Sequence, residues 1–244
     1  MFFVALVAGW EIIFRLGVWN AALFPSPGSV VNTLIHGIAD RSLLIATGVS
    51  LRRLLLGYGI SLLLGVPLGV LLARVRWLND TVGSLIMGLQ TLPSICWLPL
   101  ALLWFGLNDR AILFVVVMGA FLAIVVGVQD GVRNLPPTYL RAARTMGTNP
   151  LSLYVEVLLP ASLPAILTGA KLGWSFAWRS LMSGELLFVS LGLGHMLMMG
   201  RELGDMSQVI AVMLVIVALG LLTDRTIFGA LESHVRERWG LSHG

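Results

Sequence analysis

Six apolar stretches, near residues 2–19, 54–73, 83–105, 111–129, 162–187 and 208–228, run through a chain with little charge to show to water. Each is close to the roughly 20 residues that a helix needs to cross a bilayer. In hydrocarbon a spanning segment must satisfy its own N–H and C=O groups, which a helix does without outside help. Composition agrees: 57% of the residues are apolar and 11% are Asp, Glu, Lys or Arg, whereas a soluble domain carries about 25% charge. A soluble globular enzyme is excluded, as is a disordered or nucleic-acid-binding tail. The expected fold class is all-α: a polytopic membrane protein of about six transmembrane helices, forming one domain over residues 1–244.

The net charge of +4 is not a nucleic-acid signal. Fifteen of the 16 cations are Arg, scattered singly or in pairs, and in membrane proteins such residues mark cytoplasmic loops. With the N-terminus placed inside, the inner loops hold eight: Arg74, Arg76, Arg133, Arg141, Arg144, Arg225, Arg236 and Arg238. The outer segments hold five: Arg41, Arg52, Arg53, Arg110 and Arg201. Both termini are therefore expected to be cytoplasmic. The first stretch lacks the basic start of a signal peptide. It holds Glu11 and Arg15 at i,i+4 with the acid first, a favourable helical pair. It is expected to be a retained span with that pair facing other helices. Met1 opens directly into apolar sequence, so a short cytoplasmic lead is expected before it. The one cysteine, Cys96, lies in an apolar stretch and reads as a packed thiol.

The outer segments differ in character. Residues 20–53 begin with a turn at Phe24-Pro25-Ser26-Pro27-Gly28, after which Ser29–Gly37 reads as a short amphipathic helix on the membrane surface. Asn108 and Asp109 make a brief turn. Residues 188–207, with Gly192, Gly194, Gly200 and Gly204, read as a flexible or re-entrant segment. No helix set is duplicated, which argues against repeat-built carriers.

The most specific signal is the inner loop 133–160, RNLPPTYLRAARTMGTNPLSLYVEVLLP. Pro136 and Pro137 can open a helix, and Gly147 is placed to end it in a left-handed cap. Thr148-Asn149-Pro150 stops that helix and caps the next. The expected unit is two short helices at an angle, with Ala142 and Ala143 making a small-residue face that a partner's groove can approach.

The spacing carries a resemblance. Ala142-Ala143, three residues, Gly147, nine residues, Val157, one residue, then Leu159-Pro160 resembles the EAA loop of ATP-binding cassette importer permeases. Arg141 stands where that pattern has Glu. Leu23-Phe24-Pro25-Ser26-Pro27, Leu98-Pro99-Leu100, Trp104-Phe105-Gly106, Ala177-Trp178-Arg179, Gly184-Glu185-Leu186 and Asp224-Arg225 resemble one subfamily, the nitrate, sulfonate, taurine and bicarbonate permeases.

The resemblance implies the type I importer permease (MetI-like) fold in a bacterial inner membrane. It implies import of a small oxyanion by alternating access. The partners it implies are a second permease copy, two cytoplasmic cassette ATPases that bind ATP and Mg, and a periplasmic or lipid-anchored substrate-binding protein. Coupling to the ATPase is expected at Leu140, Arg141, Ala142, Ala143, Met146, Gly147 and Pro160. The chain has no G-x-x-x-x-G-K-[ST] loop. Its one Lys, Lys171, precedes Leu172, so ATP hydrolysis is expected in a separate subunit and no cofactor in this chain. Importers of other small solutes, such as a vitamin precursor, and ATP-independent channels or carriers remain the alternatives.

Charges within spans mark candidate pathway residues. In the fifth stretch Lys171, Ser175, Trp178, Met182 and Glu185 share a helical face, with Trp174 beside them and Arg179 about 80° from Lys171. Arg179 and Glu185 offer a foothold for an oxyanion or, alternatively, bonds to neighbouring helices; for Glu185 the structural role is favoured. Lys171 is expected to snorkel towards the cytoplasmic face. In the third stretch Pro93 and Pro99 are expected to break or kink the helix, bringing Gln90, Thr91, Ser94 and Trp97 to a pathway. The four histidines are dispersed without metal-ligand spacing.

Overall fold

The computed structural model describes every residue except 21, 137, 139, 140, 142, 144, 150, 151, 188, 189 and 239–244. Its regular elements, among the described residues, are helices. They are α1 (Phe2–Arg15), α2 (Pro27–Ala39), α3 (Ser42–Arg74), α4 (Arg76–Gln90), α5 (Ser94–Phe105), α6 (Asp109–Arg133), α7 (Leu159–Leu187), α8 (Leu193–Glu202), α9 (Met206–Thr223) and α10 (Gly229–Arg238). Local chemistry sets several starts. Ser26 caps α2 by accepting the Ser29 N–H at 3.1 Å, with Pro27 at the opening turn. Asn108 caps α6 by accepting the Arg110 N–H at 2.8 Å. At the α2–α3 turn the Ser42 hydroxyl and N–H, at 2.7 and 2.9 Å, hold the Asp40 carboxyl below the usual carboxylate range.

The core is built around α6, which packs along both α3 and α7. Its most apolar window is 61% buried within the chain, against 11% for the helix Met206–Ser233, which leaves most of its apolar surface for lipid or another chain. Close approach along α6 depends on missing side chains. A Cβ on Gly127 would stand 2.7 Å from Gly169 Cα, so α6 and α7 meet backbone to backbone there. Lipid offers apolar segments no hydrophobic reason to associate, and small residues that allow dense packing supply the attraction instead.

Among the described residues, four helices are long and apolar enough to cross a membrane, or five if the bent pair Arg76–Gln90 and Ser94–Phe105 is one span. That pair does cross. Arg76 opens α4 beside Arg133 at the end of α6, whereas Asp109 at the start of α6 bonds Arg53 near the start of α3. The chain must therefore travel back across the bundle between them, and α4–α5 is a broken span, bent by 105°.

Several expectations are corrected. The first stretch is helical over Phe2–Arg15, and Gly17 then turns the chain at φ 62°. The Glu11–Arg15 pair forms at 2.7 Å but is exposed, and α1 leans chiefly on α2. Pro93 breaks the third stretch as expected. Pro99 does not: it lies in the first turn of the next α-helical stretch, where no N–H is needed. Within the segment read as flexible or re-entrant, Leu193–Glu202 form a helix. Cys96 is exposed. The second helix expected in the inner loop does not stand apart either: a wide-turn stretch, Leu153–Leu158, runs directly into α7.

Candidate functional site

The break between α4 and α5 has a local cause. Pro93 has no N–H to donate and holds an extended ψ of 141°, so α4 ends and a tight 3₁₀ turn, Ser94–Trp97, restarts the helix. Breaking a span frees polar backbone and side chains at a depth where lipid would not tolerate them, so they face protein or a cavity. Here they border a cleft of about 230 Å³, walled by Gln90, Ser94 and Trp97 from the break, Gly119 from α6 and Phe176 from α7. Trp97 is braced edge-on by Phe114, with ring centroids 6.4 Å apart. The four pathway residues expected around the prolines, Gln90, Thr91, Ser94 and Trp97, all border the cleft.

Arg179 joins them indirectly. Its side chain is exposed, and its guanidinium lies 5.4 Å from the centre of the Phe176 ring that walls the cleft. Trp174 and Trp178 do not join them. Both are buried in the core, packed edge to face at 6.4 Å, and Trp174 also meets Tyr58 at 5.0 Å. Their shared helical face turns into the bundle because α3 and α6 cover it, which periodicity within one helix does not reveal.

Glu185 is also away from the cleft. It is fully buried at the end of α7, and Arg53 Nη1 donates to its Oε1 at 2.9 Å. Ser50 Oγ lies 2.7 Å from Oε2, and the Gly194 N–H donates to Oε2 at 3.0 Å. Ser50 in turn accepts the Leu193 N–H at 2.8 Å, and Arg53 donates to the Leu191 carbonyl at 2.7 Å and to Asp109 at 2.6 Å. A Cβ on Gly192 or Gly194 would fall within 2.6 Å of Glu185 atoms. The glycines read as flexibility are the space this carboxylate occupies. One clamp joins α3, α6, α7 and α8, and Glu185, expected among the pathway residues with a structural role favoured, lies within it and not at the cleft. Ser50, Arg53 and Asp109 were not singled out from sequence. The available signal was Arg53 lying one residue before a long apolar stretch, where an unpaired cation is costly.

Lys171 does not simply snorkel. Its Nζ meets Asp224 at 3.0 Å and Glu232 at 3.3 Å, tying α7 to the C-terminal helices.

At the opposite end from the Glu185 clamp, Arg76, Asp80 and Arg133 line a polar cleft of about 470 Å³. Beyond Arg133 lies the loop. Of its expected coupling residues, Leu140 and Ala142 fall outside the described residues. Arg141 and Met146 are exposed, Ala143 is buried, and Pro160 lies in the first turn of α7. Gly147 has a φ of 76°. The Thr148 N–H donates to the Ala143 carbonyl at 3.3 Å, and the Thr148 hydroxyl bonds the same oxygen. A left-handed glycine followed by that bond closes the helix end as the sequence implied. An exposed side chain at Met146 beside a rigid turn is a surface that another protein can read.

A family model described as "binding-protein-dependent transport system inner membrane component" matches residues 65–237. A putative ABC transporter permease of Methanocaldococcus jannaschii is 34% identical over 88% of this chain and 82% of its own length. A putative aliphatic sulfonates transport permease of Bacillus subtilis is 29% identical, covering 90% of this chain and 79% of that one. A nitrate import permease of Leptolyngbya laminosa is 29% identical, covering 90% and 84%. Among solved structures, an inward-facing form of the MetNI methionine ABC transporter superposes with a TM-score of 0.68 at 23% identity. It covers 80% of this chain and 95% of that one, a likeness of fold.

Proposed function

The chain belongs to the binding-protein-dependent transport system inner membrane component family, as the permease of an ABC importer, and from that premise we propose that its cargo is a small oxyanion. It is a transport subunit, and the ATPase of such systems is a separate chain. Nitrate, an aliphatic sulfonate, taurine or bicarbonate are the candidate solutes, supported by relatives named for sulfonate and nitrate transport. The observation that carries the reading is the cleft at Pro93: a small space with polar groups at a broken span, and the Arg179 guanidinium 5.4 Å from the centre of its Phe176 wall. A guanidinium can hold a planar oxyanion by two parallel bonds.

The working unit is two copies of this chain related by a two-fold axis, two ATPases holding ATP and Mg, and a substrate-binding protein. The end bearing Arg76, Arg133 and Gly147 faces the cytoplasm by its cation excess, so α10 lies on that face. There the 133–160 loop meets the ATPase, and closure of the ATPase pair alternates access to the pathway.

Proteoliposomes containing the permease, its ATPase and its binding protein test the proposal. ATP-dependent uptake of nitrate, methanesulfonate, taurine or bicarbonate is expected. Uptake that needs neither ATP nor the ATPase, or uptake of only a non-anionic solute, refutes it.

A further inference from the structure

The polar cleft at the inner end of the bundle is walled by Arg76, Asn79 and Asp80 from α4, Arg133 from the end of α6, and Leu72 and Ala73 from α3. Its charges do not balance. Arg76 and Arg133 are exposed, and neither guanidinium has a hydrogen bond or ion pair among the described residues. Asp80 is the one acid on the wall, and it is held in place. The Asn79 amide donates to its Oδ1 at 3.2 Å, and the amide of buried Gln129 donates in turn to Asn79 Oδ1. A Cβ on Gly83 would stand 3.1 Å from that same Asn79 oxygen, so the wide turn Asn79–Gly83 leaves this amide its room. Two unpaired cations and one positioned carboxylate leave the cleft one positive charge in surplus.

The neighbourhood of the cleft points to lipid. Trp77, next to Arg76, is 71% exposed, and Leu71 and Val75 just before it are exposed as well. Apolar side chains flanking cations suit the depth where acyl chains meet headgroups, and Trp is enriched there. The cytoplasmic leaflet carries acidic lipids, and basic pockets between spans on that side hold their headgroups.

We propose that this cleft binds the headgroup of an acidic phospholipid of the phosphatidylglycerol kind, with the phosphate between Arg76 and Arg133 and the glycerol hydroxyls donating to Asp80. Guanidinium and phosphate oxygens match in a two-pronged, charge-assisted way. The single charge of the phosphate diester cancels the surplus, whereas a zwitterionic headgroup leaves it. A lipid held there fastens the inner ends of α3, α4 and α6 just before the 133–160 loop. The inference takes the cytoplasmic placement of this end from the reading above and is independent of which solute is carried.

The test uses the detergent-purified permease–ATPase complex. Phosphatidylglycerol, phosphatidylethanolamine and phosphatidylcholine with identical acyl chains are added, and their retention is read by native mass spectrometry. Wild type should retain phosphatidylglycerol over the other two, and the preference should shrink as salt rises. Arg76→Gln and Arg133→Gln should each weaken that lipid about fivefold, the worth of one cation near an acidic leaflet. Neither should lower the melting temperature, because neither guanidinium is bonded within the chain. Arg110→Gln, an exposed cation at the outer end, should change nothing. Equal retention of the three lipids by wild type overturns the site, as does unchanged phosphatidylglycerol retention in both variants. Displacement of the lipid by an equal concentration of glycerol phosphate also overturns it, making the ligand a soluble phosphate. So does loss of ATPase co-purification with lipid retention intact, which makes the cleft a protein contact. If both Arg variants melt lower, Asp80→Asn decides: a sharper preference for phosphatidylglycerol over phosphatidylethanolamine supports the site, and an unchanged one overturns it. None of these results bears on the oxyanion reading, because uptake is not the readout.

Discussion

Arg53 and Glu185, 132 residues apart, form an ion pair of 2.9 Å whose side chains are 5% and 0% exposed. Neither charge is tolerable alone in a bundle surrounded by lipid. Together with Ser50, Asp109 and two backbone N–H groups they join four helices at one end of the molecule. The clamp explains why α8 is ordered and why its approach is glycine-rich.

Removing one partner should leave the other buried and uncompensated, at a cost of about 3–5 kcal/mol. Arg53→Met and Glu185→Ala are each expected to lower the yield and melting temperature of the solubilised protein sharply. Asp109→Asn should do much less, since its carboxylate is half exposed. Equal, small effects from all three in thermal unfolding would rule out the clamp as a structural keystone.

Gly127→Val should separate α6 from α7. A Cβ there would stand 2.7 Å from Gly169 Cα, where only backbone can give way, and overpacking of this kind costs about 1–3 kcal/mol. Reduced thermal stability with normal membrane insertion is expected, and Gly59→Val on α3, which meets open space, is the control.

Gly147→Val should act on coupling. A β-branched residue at a φ of 76° carries a penalty of about 1–3 kcal/mol and misplaces the turn that presents Met146. The variant is expected to insert and fold across the bilayer but to lose co-purification with the ATPase or to uncouple hydrolysis from uptake. Wild-type transport would contradict a docking role for this loop.

Arg179 separates charge from shape. Arg179→Lys keeps the cation but loses the two-pronged donor near the Phe176 ring, so it should impair uptake less than Arg179→Gln. Uptake must be measured per assembled complex. Undiminished uptake by Arg179→Gln would remove Arg179 from the pathway, and lower assembly by both variants would make it structural.

Much of the candidate site was legible along the chain. Pro93 announced a broken span, since a residue without an N–H cannot continue a helix, and Gln90, Ser94 and Trp97 followed from proximity to it. Gly147 announced its turn because few other residues adopt a positive φ without strain. Pro99 misled because a proline within a long apolar run looks the same whether it breaks a helix or begins one.

What the sequence alone determined was the class of molecule: a helical membrane protein, with a loop whose spacing matches importer permeases, and a break at Pro93. Those features are local, set by hydropathy over about 20 residues or by the backbone limits of single residues. Only the tertiary structure decided which charges are paired and which faces are covered. The face shared by Trp174, Trp178 and Glu185 is visible from α7 alone, but whether it lines a path depends on α3 and α6 lying over it. Arg53 finds Glu185 and Lys171 finds Asp224 because helices distant in sequence pack at glycine-sized separations, and one helix's periodicity contains no information about its neighbour's register.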